Sequence, residues 1–328
     1  MRLISIQAMV VIAVMLSLAV FVMVLVESGL DERRIRKRRA ARLSIRKCLS
    51  ETGPTAAGGD ALDRLLGRHH RIDEWDMALL EEVSQGRTVK GVEYGCVIEG
   101  MRRRNQYVRT LNSARYSQRV NAAELLLQFG CPSVVPGALK AVLGRRWGVD
   151  VYLAILAAVR WVEDESDARL VWLALIGYEN VRPRLAAEIM MSARIDLVPT
   201  VKDFLAGVDR LRLGALEYLL MRTDLVEAAE PDWESLLTDK EVDVVCAGIR
   251  LYVKTHKQVP PRRDYWWCLE EARIAFVGSA SWIEDVPVRE MVVTAAASDP
   301  SWWVRYRANE SLVLIGWETR LLPNPGSI

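Results

Sequence analysis

The longest run of apolar residues lies close to the start of the sequence. Residues 3–26 carry no charge, and their strongly polar side chains are Ser5, Gln7 and Ser17. A helix of this length extends about 36 Å at about 1.5 Å per residue, enough to cross a hydrocarbon core about 30 Å thick. A signal peptide has a shorter apolar region of about 7–15 residues. We therefore predict a retained transmembrane anchor within residues 1–27.

Basic residues cluster directly after this segment, in residues 28–50, whereas Arg2 is the only basic side chain before it. Lys and Arg beside a span stay on the cytoplasmic side, which predicts a single-pass protein of the inner membrane with a cytoplasmic C-terminal domain. We predict that residues 28–50 form a juxtamembrane helix that sets this topology. Contact with anionic lipid, worth about 1 kcal/mol per basic residue, is a compatible second role. The residues assigned to the membrane surface are Arg33, Arg34, Arg36, Lys37, Arg38 and Arg39.

Residues 51–114 have a weaker pattern and are predicted to form a helical N-terminal region. The small, polar residues 51–60 predict a loop, after which Asp60 is expected to cap a helix. A second helix is predicted near residues 75–83, and residues 88–112 are also predicted to be helical.

From residue 115 onward, apolar residues recur at helical spacing in segments of about 12 residues. Strand-like alternation is absent from this region, which predicts an all-α fold. Similar helix starts recur about every 31 residues, and between them lie further amphipathic segments at 134–143, 168–176, 197–204, 233–237 and 286–297. Helix pairs of this kind bury their apolar faces by stacking into a solenoid. The aligned starts are at Arg119, Asp150, Val181, Leu211, Val242, Glu271 and Val304.

The first and last of these units resemble HEAT repeats. The last has Asp299 before its second helix, the pair Val304-Arg305 near its start, and Gly316 at its end; the first has Arg119-Val120 and Gly130. In that family an Asp precedes the second helix, small residues allow close packing, and a glycine ends the helix where a positive φ is easiest. The resemblance covers residues 115–318, with residues 319–328 as a tail. The unit near residue 242 lacks the arginine, and Pro260-Pro261 interrupts the run.

Arginines occupy similar positions in successive units. In HEAT-like proteins such arginines form an internal ladder with loop acids, here Asp239 or Asp299. A basic concave face that binds an acidic partner is the alternative interpretation. The arginines concerned are Arg119, Arg182, Arg212, Arg273 and Arg305.

Tryptophan is abundant, with 11 residues. Packing between helix layers is one explanation, and exposed anchors for a partner are the other, because Trp is enriched at interface hot spots. Two pairs are adjacent in sequence, Trp266-Trp267 and Trp302-Trp303. Adjacent helical residues cannot both point fully inward, so at least one member of each pair is expected at the surface. The predicted partner-binding residues are Trp266, Trp267, Trp302, Trp303, Arg305 and Arg307.

Catalytic and ligand-binding patterns are absent from the sequence. It contains no phosphate-binding glycine loop, zinc-protease motif or nucleophile elbow. The five cysteines form no closely spaced pair, and His69, His70 and His256 are interpreted as surface residues. The net charge of +2 argues against general nucleic-acid binding. We therefore predict no catalytic residues, no metal and no cofactor.

The complete layout is similar to that of bacterial membrane-anchored HEAT-repeat proteins. This resemblance implies a membrane-tethered cytoplasmic scaffold that binds a protein partner at the inner membrane, with a glycosyltransferase of surface polysaccharide synthesis as the first candidate. An enzyme of the HEAT-like bilin lyase or isomerase type is the alternative. Nucleic-acid binding by an arginine-lined solenoid is a third class, which would show steep salt dependence.

Overall fold

The computed structural model describes residues 30, 32–48, 51, 56–67, 75–79, 104–283 and 285–316. The predicted membrane segment at residues 3–26, the pair His69-His70 and the tail at 319–328 lie outside these residues. Within the described ranges, no helix combines the length and the apolar character needed to span a bilayer.

Helices and loops make up the described residues, which include no β-strand. This confirms the all-α prediction. Single 3₁₀ turns occur at Pro132–Val134, Thr223–Leu225 and Ala280–Trp282. The α-helices are α1 (32–48), α2 (Ala56–Gly67), α3 (75–79), α4 (Arg104–Thr110), α5 (Tyr116–Phe129), α6 (Val135–Val142), α7 (Val149–Arg160), α8 (Glu165–Gly177), α9 (Pro183–Met190), α10 (Val198–Leu205), α11 (Asp209–Met221), α12 (Val226–Ala229), α13 (Trp233–Leu237), α14 (Val242–His256), α15 (Arg263–Trp266), α16 (Glu270–Ser279), α17 (Val286–Ser298) and α18 (Trp302–Leu314).

The start of α2 corrects one prediction. The sequence predicts a loop over residues 51–60, but the helix begins at Ala56 and therefore includes Gly58 and Gly59 of that loop. Glycine costs a helix interior about 0.5–1 kcal/mol relative to alanine. The same helix fully buries Leu62 and Leu66, and tertiary packing of an apolar face outweighs such local preferences.

The chain divides into two compact units. The first comprises Met1–Val142 with Gly148–Ala157, and the second comprises Leu143–Trp147 with Ala158–Ile328. This division falls inside the region predicted as one repeat domain, residues 115–318.

In the first unit, α4 packs against α5 and α6. The core of this unit includes Tyr107 and Ala123, as predicted for the small residue, and the hydroxyl of Tyr107 donates a 2.9 Å hydrogen bond to buried Asp76. Gly137 of α6 lies so close to Val108 of α4 that a Cβ atom would stand 2.6 Å from Val108 Cγ1. Small residues thus allow these helices to approach closely.

In the second unit, α9, α11, α14, α16 and α18 pack side by side in chain order, each against the next. The helices between them pack alongside this row: α10 against α11, α13 against α14, and α17 against α18. Ala186 and Ala308 are fully buried, as predicted. One apolar cluster extends through the last helices and includes Trp266, Phe276 and Val304.

The ends of the helices agree in part with the predicted pattern. Gly316, just after α18, has a φ of 78°, as expected for a glycine that ends a helix. Gly130, just after α5, has a φ of −68°, so a left-handed conformation was wrongly expected there. Lys257 instead ends α14 with a φ of 54°, and the proline pair 260–261 follows as an irregular link.

Candidate partner-binding surface

An exposed aromatic cluster stands at the start of α18. The Ser301 side chain caps this helix by accepting a hydrogen bond from the Val304 amide. Trp302 and Trp303, the first two helical residues, are 49% and 59% exposed. Their rings meet edge to face with centroids 4.6 Å apart, and Trp302 also stacks on Tyr306, one turn later, at 5.2 Å. The three rings therefore form one continuous surface.

The opposite face of α18 explains why this cluster faces outward. Val304, Ala308 and Leu312 are buried and belong to the apolar cluster of the second unit. Ser311 fixes the same face by donating a hydrogen bond to the Val277 carbonyl of α16 at 2.5 Å. Because this side of the helix packs inward, residues about half a turn away point to solvent.

Two further exposed apolar residues lie at the C-terminal end of α18. Val313 and Leu314 are 56% and 75% exposed, and Arg307 and Glu310 lie between them and the rings. The contacting rings are the part typical of an interaction surface, whereas single exposed apolar residues are common everywhere.

Charged groups lie beside the rings. Arg307 forms a 2.6 Å ion pair with Glu310. Hydrogen bonds from the Tyr306 hydroxyl and from Arg307 lower the pKa of Glu310, and the same carboxylate raises the pKa of Tyr306. At neutral pH Glu310 is therefore ionised and the Tyr306 phenol keeps its proton. The surface combines apolar rings with hydrogen-bonding groups, as hot spots in protein interfaces commonly do.

Not every predicted contact residue belongs to this surface. Trp266 is fully buried, so its assignment to partner binding was wrong. Its indole N–H donates to the Pro261 carbonyl at 2.9 Å, which satisfies the polar atom inside the core. Trp267 is half-buried against Trp266 and Phe276. Trp266 therefore belongs to the apolar cluster, and Trp267 packs against it.

Arg305 and Arg307 have different roles. Arg305 folds back and donates to the carbonyls of Asp299 and Pro300, at 2.6 and 3.1 Å, so it orders the loop before α18. Arg307 is exposed on the aromatic face. Of the predicted residues, the structure thus places Trp302, Trp303 and Arg307 together on one surface. Tyr306, which was not predicted, belongs to the same surface. The position of Tyr306 four residues after Trp302 was the signal that sequence reasoning missed.

Three of the predicted ladder arginines pair with aspartates. Arg119 and Asp150 form an ion pair at 2.6 Å in the first unit. In the second unit, Arg212 pairs with Asp239, and Arg273 pairs with Asp299 at 2.9 Å. The two pairs in the second unit use the predicted acids, whereas Asp150, in the first turn of α7, was not a predicted partner.

Each ladder arginine also binds the loop that precedes its own helix. Arg212 donates to Leu205 and Gly207, and Arg273 donates to Trp267. The helix bounds place Arg119, Arg212, Arg273 and Arg305 at the fourth residue of their helices. Arg182 does not follow this pattern, because Pro183 is the first residue of α9 and Arg182 is its exposed N-cap.

The basic residues of α1 are arranged on an amphipathic helix. Ala41 and Ile45 are fully buried, and Arg36 forms an exposed ion pair with Glu32. Of the residues assigned to the membrane surface, Arg38 is half-buried and the others are exposed: Arg33, Arg34, Arg36, Lys37 and Arg39. Their contact with lipid stays a prediction.

The described residues include cysteines and possible metal ligands. Cys246 and Cys268 are free thiols. Burial raises the pKa of Cys246 to about 11, so this thiol is neutral at physiological pH. In the ranges that the structure describes, no three His, Cys, Asp or Glu residues converge as metal ligands.

Comparison with protein-family models, with curated protein sequences and with solved structures gave no match. The interpretation of the α18 surface therefore depends on its own geometry and chemistry.

Proposed function

We propose that this chain is a scaffold, tethered to the inner membrane, that binds and positions a protein partner through the outward face of α18. The exposed cluster of Trp302, Trp303 and Tyr306 carries the proposal. Large, rigid rings contribute much contact area at a small cost in conformational entropy. The neighbouring Arg307 adds a charged group that favours orientation and specificity over raw affinity.

The second part of the proposal is that residues 115–318 form a HEAT-like solenoid. One support is the chain-order packing of α9, α11, α14, α16 and α18. The other is the pairing of Arg212 with Asp239 and of Arg273 with Asp299, each of which joins successive helix pairs. A stack of this kind offers an extended surface for a protein partner. The resemblance to membrane-anchored HEAT proteins makes a glycosyltransferase of surface polysaccharide synthesis the first candidate partner.

The third part is the anchor itself, proposed from the uncharged segment at residues 3–26. Tethering the scaffold to the bilayer raises its effective concentration toward any membrane partner, so that a weak intrinsic affinity suffices. Removing residues 1–27 should therefore leave the isolated contact intact and impair function in the cell.

Site-specific photo-crosslinking in cells tests the binding surface. A photoreactive residue at position 306 of the full chain should give a discrete crosslinked species with a membrane protein. Trp302→Ala combined with Trp303→Ala should reduce capture of that species by about tenfold or more, the effect of losing about 1.4 kcal/mol.

A matched control is Leu170→Ala with Leu173→Ala, which removes two exposed apolar side chains from α8 of the same unit. This variant should capture the partner as the wild type does. If the folded double-tryptophan variant still captures every partner of the wild type, α18 is not the binding surface.

A further inference from the structure

A second candidate site lies in the same unit, in a groove lined by the turn Thr223–Leu225, by α12 and by the C-terminal end of α14. Its volume is about 660 Å³. The side chains that matter to its chemistry are Asp224, Glu227, Glu230, Trp233, Lys254 and His256. Aromatic rings and carboxylates thus line one groove.

The aromatic part of the site consists of the rings of Trp233, Tyr252 and His256, each of which contacts the other two. His256 stacks on Tyr252, with centroids 4.2 Å apart and planes 13° apart. Trp233 stands at right angles to both, with its centroid 5.1 Å from Tyr252 and 5.2 Å from His256. This arrangement holds the indole of Trp233, the best ring for a cation, in a fixed orientation at the groove.

Hydrogen bonds fix the position of the His256 ring at the end of α14. Its Nδ1 atom lies 2.9 Å from the Thr255 hydroxyl, and the tautomer decides which of the two donates. The same hydroxyl lies 2.9 and 3.2 Å from the backbone carbonyls of Leu251 and Tyr252.

One carboxylate of the groove has no counter-charge among the described side chains. The lining has three carboxylates, of Asp224, Glu227 and Glu230, and the ammonium of Lys254, which donates a 2.8 Å hydrogen bond to the Leu220 carbonyl. Arg222 pairs with Asp224, and Lys202 pairs with Glu230. Exposed Glu227 forms no ion pair with any side chain in the described ranges. The C-terminal end of α14 adds the negative end of a helix dipole.

We propose that this groove binds an arginine side chain in a basic segment of a partner protein. The guanidinium stacks on Trp233 and donates N–H groups to the Glu227 carboxylate. Arginine is preferred over lysine, because a planar guanidinium stacks on an indole and offers several donors in a fixed fork. This proposal is independent of the α18 surface, which is built from other helices and other chemistry.

Fluorescence anisotropy with the full chain in a neutral detergent provides the test. The probe is a fluorescein-labelled tri-arginine peptide, compared with its tri-citrulline and tri-lysine counterparts. Citrulline keeps the shape of arginine and removes its charge. We expect the citrulline peptide to bind about tenfold more weakly than the arginine peptide, with the lysine peptide between them.

Variants then locate the site. Glu227→Gln should weaken binding of the arginine peptide by about threefold to tenfold, because it removes the unpaired carboxylate. Glu290→Gln, an exposed carboxylate on α17 outside the groove, should bind as the wild type does. Trp302→Ala with Trp303→Ala should also retain full peptide affinity, which separates this site from the scaffold surface.

Two results would overturn the proposal. One is equal affinity for the arginine and citrulline peptides, which would mean that charge is not recognised. The other is equal affinity of the Glu227→Gln and Glu290→Gln variants, which would place any binding of the basic peptide elsewhere on the protein.

Discussion

At the scale of single residues, Ala308 gives a sharp test of packing. Its side chain is fully buried in the apolar cluster between α18 and α16. Ala308→Leu should destabilise the protein by about 1–3 kcal/mol, because extra methylene groups force neighbouring side chains and backbone to shift. Chemical denaturation of the full chain in detergent measures this difference.

Val313→Leu is the control for this change, because it adds a methylene at a 56% exposed position of the same helix. Its effect should stay within about 0.5 kcal/mol. Equal stability of the two variants would mean that Ala308 is not closely packed.

Arg273 tests the energetics of the ladder. Its side chain and that of Asp299 are 12% and 5% exposed. Arg273→Met should lower the free energy of unfolding by about 3 kcal/mol, because it leaves Asp299 buried without its counter-charge. Thermal and denaturant unfolding report the loss.

The matched surface pair is Arg184 with Glu188, whose side chains are 72% and 49% exposed. Arg184→Ala should cost no more than about 0.5 kcal/mol. A loss as small as this for Arg273→Met would show that the ladder contributes little to stability.

Residue positions were predictable where they depend on spacing alone. The buried alanines Ala123, Ala186 and Ala308 and the acids Asp239 and Asp299 stand beside aligned helix starts, so alignment of those starts located them. Trp266 was not predictable in this way, since adjacent helical residues differ by about 100° and the periodicity does not say which one faces the core. Arg182 was misplaced although Pro183 marked it, because proline favours the first helical position and the residue before it leaves the helix.

At the scale of helices, two glycines should respond oppositely to the same change. A Cβ at Gly278 of α16 would meet no atom within 4 Å, whereas a Cβ at Gly214 of α11 would stand 3.3 Å from Trp172 Nε1. Gly278→Ala should stabilise the protein by about 0.5–1 kcal/mol, because alanine is the better helix former. Gly214→Ala should cost about 1 kcal/mol, because fully buried Trp172 cannot move away freely.

The denaturation midpoints of the two glycine variants, each compared with that of the wild type, measure these changes in stability. Stabilisation by Gly214→Ala equal to that by Gly278→Ala would mean that α11 and α8 tolerate a larger separation than the structure has.

Helix positions followed closely from the apolar pattern after residue 115. The predicted helix at 233–237 is α13, and the predicted start at Val242 is the first residue of α14. The start of α2 did not follow, because its glycines and small residues have no strong local preference, and burial of Leu62 and Leu66 decides the outcome.

At the scale of the whole molecule, the orientation of the chain in the membrane can be tested directly. The basic cluster at residues 33–47, set against Arg2 alone before the apolar segment, predicts a cytoplasmic C-terminal domain. A fluorescent reporter fused after Ile328 should therefore be active. Activity of an alkaline phosphatase fusion at the same position would contradict this topology, because that enzyme becomes active only in the periplasm.

The all-α class was predictable because helical spacing recurs from residue 115 onward. The division into two compact units was not, because the repeat pattern continues without change between residues 142 and 158, where the division lies. Local periodicity determines where helices form, while the grouping of helices depends on contacts between residues far apart in sequence.

The arginine–aspartate pairs have a consequence for cooperativity. Arg212 and Arg273 each join the loop before their own helix to an acid in the loop before the next helix of the row, α14 or α18. Each pair therefore couples nearest neighbours along the chain, as in a one-dimensional array. When one helix pair opens, the adjacent pair loses a polar partner and part of its own stability. Hydrogen exchange in this unit should consequently show protection that changes in steps from one helix pair to the next.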